Sequence, residues 1–330
     1  MNLATLPKVE LHLHLEGAAP PAFIRRLADE KSLDISHIFT ADGAYEYRDF
    51  VHFLDIYEAA TSTLQSPEDF ARLVTAVLSE SAARGVVYTE AFLSPDFCGG
   101  RDVGAWREYV AAMQEAAKVA EAAHGILFRG VITAIRHFGP QKARETALCA
   151  QQTAGDFITG FGIAGDEKAG KLADFTYGFD MAREAGLGLT AHAGEWNGPE
   201  EVAAALEHLR VSRVGHGVRA IEDAGLVRRL AEEGVVLEVC PGSNVTLGVY
   251  QNLADHPINA LREAGVKVTV STDDPPFFLT DMIKEYTDLA HTFGWDTADF
   301  AAVNQTAADA AFCDETTRQR VKSKLENSHV

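Results

Sequence analysis

Residues 224–240 read AGLVRRLAEEGVVLEVC. Ala224–Glu233 is a helix-like stretch, Gly234 follows it, and Val235–Cys240 is a short apolar run rich in β-branched residues. A glycine just past a helix C-terminus relieves the left-handed cap, and the next apolar run then begins a strand. The same punctuation recurs in LREAG (261–265) before VKVTV (266–270), and Gly85 and Gly186 introduce two further runs.

Working outward from there, eight candidate strands emerge: Val9–His14, Val86–Leu93, Ile126–Ile135, Phe157–Ile163, Leu187–His192, Arg213–His216, Val235–Cys240 and Val266–Thr272. Helix-like segments such as Trp106–Ala123 and Glu200–Leu209 separate them. Strand–helix alternation along a whole chain argues a parallel sheet. Eight such units predict an α/β fold closed as a (β/α)8 barrel of the TIM type, one domain over 1–330. Pro20–Ala83 reads as a helical insertion after the first strand, expected to lie over the barrel mouth as a lid, and the stretch from Asp281 reads as C-terminal helices.

Composition narrows the function classes. With 29 basic and 48 acidic residues the formal net charge is −19. Such a surface repels phosphate backbones and anionic membranes, so a small neutral substrate is expected rather than nucleic acid or a membrane. No apolar run is long enough to span a bilayer. The N-terminus MNLATLPKVE lacks the pattern of a signal peptide. Cys98, Cys149, Cys240 and Cys313 are far apart, without a CxxC pair. That argues against a disulfide framework or a thiolate zinc site, and for a reducing, cytoplasmic location. The oligomeric state is not legible.

A barrel places its chemistry at the C-terminal ends of its strands. His12 and His14 end the first, spaced i, i+2 so that both imidazoles point to one side. His192 ends the fifth strand, His216 the sixth, and Asp273 follows the eighth. Taken singly, each is more simply a hydrogen-bonded core or rim residue. Together they supply the nitrogen and oxygen donors that suit zinc and related divalent ions, with one histidine left for catalysis or support. Glu195, three residues past His192, is placed to move protons near such a centre. Of the adjacent pair Asp273 and Asp274, one can bind metal while the other points elsewhere. Residues 160–165 spell GxGxxG after a strand. The sequence that follows opens no apolar-striped helix, so a dinucleotide site is not expected. The motifs GxxxxGK[ST], HExxH and GxSxG are absent.

Five segments in order, LPKVELHLHLEG (6–17), FGIAGDE (161–167), LTAHAGE (189–195), RVGHG (213–217) and STDDP (271–275), resemble the adenosine/adenine deaminase family of the amidohydrolase superfamily over nearly the whole chain. The resemblance implies one zinc ion held by His12, His14, His192 and Asp273. It implies that Glu195 handles protons at the purine N1, that His216 orients and polarises the attacking hydroxide, that Asp274 faces N7, and that the Gly165 amide meets N3. His14 and Glu16 fall at further substrate-side positions. A carboxylated lysine bridging two metals is not expected, because the fourth strand ends in Gly-Ile-Ala-Gly with Lys168 only in the loop beyond.

Two positions bear on the substrate. Glu16 stands where many adenosine deaminases carry Asp, a form shared with adenine deaminases, and Phe92 stands where many carry Arg. GIAGDE and RVGHG look closer to the adenosine branch. The expected reaction is therefore zinc-dependent deamination of adenosine, and of 2'-deoxyadenosine, to inosine and ammonia. The alternatives are adenine or another N6-aminopurine as substrate, a metal-dependent ester or amide hydrolase, and a non-catalytic purine-binding relative. Phe50, Phe53 and Leu54 form either an apolar wall for the substrate or the core face of a helix.

Overall fold

The computed structural model describes residues 2–326. Its eight strands are β1 (Lys8–His14), β2 (Val86–Leu93), β3 (Leu127–Ile135), β4 (Ile158–Ala164), β5 (Gly188–Ala193), β6 (Arg213–His216), β7 (Val236–Val239) and β8 (Lys267–Val270). They pair in parallel in chain order. The (β/α)8 barrel expected from strand–helix alternation is the observed fold.

The stretch 224–240 shows how the chain keeps this rhythm. Asp223 caps the helix Ala224–Glu233 by accepting from the amides of Gly225 and Leu226, and Gly234 ends it at φ 69°. Val235 donates its amide back to Leu230 O at 3.1 Å, so the strand starts one residue later than the apolar run. At the other end Pro241 begins the helix Pro241–Thr246, which takes Cys240 out of the ladder.

Closure between β8 and β1 relies on a few specific bonds. Asp273 N donates to His12 O at 3.1 Å, and His14 N donates to Asp273 O at 3.0 Å. Below them the Ser271 hydroxyl accepts from the amides of Leu11 and His12, and the Asn304 side chain accepts from Val9 N. The seam is thus sealed partly by side chains, and its upper end is formed by candidate metal ligands.

The stretch expected as a lid over 20–83 divides by position. The helix Phe50–Thr61 contributes Phe50, Phe53, Leu54 and Tyr57 to the wall of the cavity at the barrel mouth. The helix Pro67–Ala83 instead packs in the outer ring against Val103–His124, where Phe70 meets Tyr109 edge-on at 5.3 Å. The C-terminal helices Thr297–Ala310 and Glu315–Glu326 close the opposite end, with Ala307, Ala308, Ala311 and Val321 buried against Val9, Leu11, Tyr88 and Leu127. Between the last two helices Phe312 enters beneath the barrel. A Cβ on Gly188 would lie 2.2 Å from its ring and one on Gly160 2.8 Å, which is the packing reason for the first glycine of the GxGxxG string.

One network of charges is fully enclosed. Arg213 on β6 binds Glu238 Oε1 on β7 at 2.6 Å and Glu90 Oε2 on β2 at 2.7 Å, with all three side chains at most 1% exposed. The Arg213 guanidinium also lies 3.5 Å over the Phe312 ring. Burial disfavours charge on Glu238, yet Arg213 and His12 outweigh it and hold its carboxyl below the ordinary range.

Candidate metal centre and purine pocket

The strand ends deliver the predicted residues to one point. His12 and His14 leave β1, His192 leaves β5, His216 ends β6, and Asp273 follows β8. Both His12 Nε2 and His14 Nε2 lie 3.3 Å from Asp273 Oδ1, and His14 Nε2 lies 3.2 Å from His192 Nε2. One donor atom from each of His12, His14, His192 and Asp273 falls within 4.8 Å of the others. His216 and Asp273 hold φ angles of 58° and 67°, a left-handed conformation costly for residues with a side chain, as often found where function dictates geometry.

The hydrogen bonds around the centre decide which nitrogens face inward. His192 Nδ1 is 3.0 Å from Ile163 O, which can only accept, so that nitrogen carries the proton and Nε2 presents a lone pair. His12 Nδ1 is 2.9 Å from the Glu238 carboxylate, and its Nε2 is buried without a hydrogen-bond partner among the described residues. Lone pairs from two imidazoles therefore converge on a carboxylate oxygen in a dry site. That arrangement is repulsive unless a cation sits among them, and imidazole with carboxylate is the donor set of a divalent transition metal. Burial works against charge on His12, but Asp273 and Glu238 prevail and raise its pKa to about 9, a measure of how strongly these carboxylates favour positive charge beside them. Burial and the neighbouring imidazoles push His192 well below its ordinary value.

Three groups that sequence reasoning did not single out hold this centre. The Glu238 carboxylate orients His12, and the Ser243 hydroxyl donates to Asp273 Oδ2 at 2.7 Å. Glu167 accepts from three successive amides, those of Glu195, Trp196 and Asn197, at 3.1, 3.1 and 2.7 Å. It thereby fixes the loop that carries Glu195. Glu238 did leave a trace in the sequence, as a charge inside the apolar run VVLEV.

Beside the centre, Glu195 and Asp274 are buried carboxyls on the cavity wall. Burial, with Asp273 and Glu167 nearby, raises the Glu195 pKa well above the carboxylate range. Burial, with Asp273, Glu16 and Glu195 nearby, does the same to Asp274. These surroundings disfavour the ionised form of both carboxyls. Asp274 Oδ1 has no partner among the described residues, and it lies where a Cβ on residue 17 would fall, so only glycine fits there. Gly165 is on the wall at φ +99°. Glu16 is not on the wall. It is buried beside Tyr57, whose hydroxyl lies 3.4 Å from Glu16 Oε2. Lys168 is exposed in the loop after β4.

The rest of the cavity is mostly apolar, with Glu58 and His137 as polar side chains on its wall. Phe50, Phe53, Leu54, Tyr57, Phe97, Phe138, Leu247 and Phe278 surround it. The two readings of Phe53 are both met, since it is 5% exposed and also faces the cavity. Phe92 packs edge-on against His12 at 4.7 Å, under the imidazoles.

A barrel with this cluster at its mouth defines a metal-dependent hydrolase. The chain belongs to the adenosine deaminase family, whose family model matches residues 7–328. It is similar to an adenine deaminase of Agrobacterium fabrum, at 46% identity over 97% of this chain and 98% of that protein. An adenine deaminase of Chelativorans is 48% identical over the same shares. Among solved structures it resembles the adenine deaminase of Arthrobacter aurescens, with TM-score 0.87 and 28% identity over 97% of this chain and 98% of that one. It also resembles a zinc-bound amidohydrolase of Burkhoderia ambifaria, with TM-score 0.86 and 25% identity over 99% and 92%. The protein is a hydrolytic deaminase. Adenosine, the substrate expected from the sequence, is corrected by these relatives: those at 46–48% identity over nearly full length carry the name adenine deaminase.

Proposed function

We propose that the protein hydrolyses adenine to hypoxanthine and ammonia, with one zinc ion held by His12, His14, His192 and Asp273. The observation that carries the substrate is the near-full-length similarity to adenine deaminases. The cavity is compatible with it, because its walls are mostly aromatic and aliphatic, Glu58 and His137 excepted, and Glu16 is buried beside Tyr57 and does not line it. Sugar hydroxyls placed against the aromatic part of those walls would lose water without gaining partners.

When bound, the ion supplies the Lewis acidity that makes water a nucleophile near neutral pH. The remaining steps belong to the chain. The neutral Glu195 carboxyl donates its proton to N1, which draws electrons from C6 and opens that carbon to attack. The neutral Asp274 carboxyl donates a hydrogen bond to the N7 lone pair, and the Gly165 amide donates to N3. Glu195, ionised after that transfer, takes the proton released by the attacking water, passes it to the departing amino group, and is reprotonated by the C6 hydroxyl as that group becomes the carbonyl. Adenine and water thus give hypoxanthine and ammonia with no net proton change. The apolar walls keep other water out.

The test is ammonia release by zinc-loaded protein from adenine and from adenosine at equal concentration. Turnover of adenine with adenosine slower by at least two orders of magnitude is expected, the scale on which a pocket rejects a group it cannot pair. Equal or faster turnover of adenosine would overturn the substrate reading.

A further inference from the structure

Asn244, in the helix after β7, is 0% exposed and touches both Glu195 and His216. Its Nδ2 lies 3.2 Å from Glu195 Oε1 and 3.1 Å from His216 Nδ1. Its Oδ1 lies 3.1 Å from His256 Nε2. Behind it, the backbone amide of Ile258 is 3.2 Å from His256 Nδ1.

The polarity of this chain of bonds is determined from its far end. A backbone amide can only donate, so His256 Nδ1 accepts and the ring proton sits on Nε2. Burial keeps the ring neutral, with its pKa pushed down to about 3. Tyr250 packs against it at 5.0 Å and holds its plane. The Nε2 hydrogen requires an acceptor, which fixes Asn244 with Oδ1 toward His256 and both Nδ2 hydrogens toward the pocket. One hydrogen meets Glu195 Oε1 and the other meets His216 Nδ1. His216 Nδ1 is therefore the bare nitrogen, and its proton is on Nε2. That Nε2 is buried with no hydrogen-bond partner among the described residues, and its nearest carboxylate, Asp273 Oδ2, is 3.9 Å away. It is a donor aimed into the centre with nothing of the protein to receive it.

We propose that Asn244, oriented by His256, is a positioning residue that locks His216 as a hydrogen-bond donor to the attacking oxygen and leaves Glu195 Oε2 as the oxygen that exchanges protons with the base. This rests on the roles given above to Glu195 and His216. It adds that His216 does not take the proton of the attacking water, because its inward nitrogen already carries one. The amide also distinguishes the two oxygens of Glu195, since Oε1 accepts from Asn244 and Oε2 does not. A buried asparagine that merely fills a polar gap would explain the distances but not the direction of every bond.

Asn244→Asp is the discriminating variant, because it replaces the double donor with an acceptor of the same shape. In zinc-loaded protein labelled with 15N-histidine, the His216 signal, assigned by its loss in His216→Ala, is expected to move from the Nε2–H to the Nδ1–H tautomer. Zinc content should stay at one per chain, and kcat for adenine should fall by about 100-fold with KM changing far less, the signature of an interaction made in the transition state. Should Asn244→Asp fail to fold, a second pair serves. His256→Gln keeps an amide N–H for Asn244 Oδ1 and should retain more turnover than His256→Leu, and only the latter should scramble the His216 tautomer. An unchanged His216 tautomer in Asn244→Asp, or a His256→Leu variant that keeps both tautomer and kcat, would overturn the proposal. The tautomer is read without substrate, so its outcome stands apart from whether adenine is turned over.

Discussion

The Ser243 hydroxyl donates to one oxygen of Asp273 at 2.7 Å while His12 and His14 approach the other at 3.3 Å. Ser243 therefore sets the rotation of the carboxylate and decides which oxygen faces the imidazoles. Ser243→Ala removes that control without touching a ligand. Zinc affinity is expected to fall by about 10- to 100-fold, the usual cost of losing an orienting partner. Competition with a chelator of known affinity measures it, and an unaltered zinc dissociation constant would count against the assignment of Asp273 as a ligand.

Glu195→Gln keeps the size of the side chain and an oxygen for Asn244 but removes the exchangeable proton. The variant should fold, hold its zinc, and lose roughly 100- to 10,000-fold in kcat, the range of general acid–base catalysis. Metal analysis beside steady-state ammonia release checks both halves. Near-normal turnover would sink the proton-transfer role.

Arg213 lies between Glu90 and Glu238 with all three side chains shielded from water. Arg213→Met leaves two buried carboxylates facing each other. Breaking such a group by removing one partner costs about 3–5 kcal/mol. Urea unfolding at neutral pH should show that loss, and replacing Glu90 and Glu238 by Gln in the same chain should recover part of it. Equal stability of Arg213→Met and the parent protein would refute the buried-charge account.

Glu10 is buried, accepts from Thr272 N and Oγ1, and has its pKa raised from 4.5 to about 7, chiefly by burial. Because the folded state holds this proton more tightly than the unfolded chain, the contribution to stability is fully present below pH 4.5 and is lost as pH rises through about 7. A rise of that size corresponds to about 3 kcal/mol. Glu10→Gln keeps an acceptor for Thr272 but cannot ionise, so it should gain stability relative to the parent at pH 8 and not at pH 4. Denaturant midpoints at the two pH values measure this, and parallel pH dependence in both proteins would contradict it.

What the sequence made legible was whatever could be read within a few residues. The i, i+2 spacing of His12 and His14, the strand–helix alternation and the glycines before four of the apolar runs are local signals, and both the barrel and the convergence of His192, His216 and Asp273 follow from them. Partners brought together by closure were not legible. Glu238 meets His12, and Asn244 meets Glu195, across gaps of 226 and 49 residues that no local pattern encodes. The substrate was misjudged for a related reason. GIAGDE and RVGHG favoured a nucleoside, yet Glu167 in the first clamps the loop of Glu195 and His216 in the second faces the centre, tasks indifferent to a sugar. The walls that meet the rest of the substrate come from the Phe50–Thr61 helix, whose facing depends on how the insertion folds back.

Because Asp273 bonds through its backbone to both His12 and His14, the ligands stand on the two sides of the barrel seam. An ion held as proposed would therefore act as a clasp between β1 and β8. His12 and His14 precede β2 and Asp273 follows β8, so neither end of the barrel could assemble that centre alone.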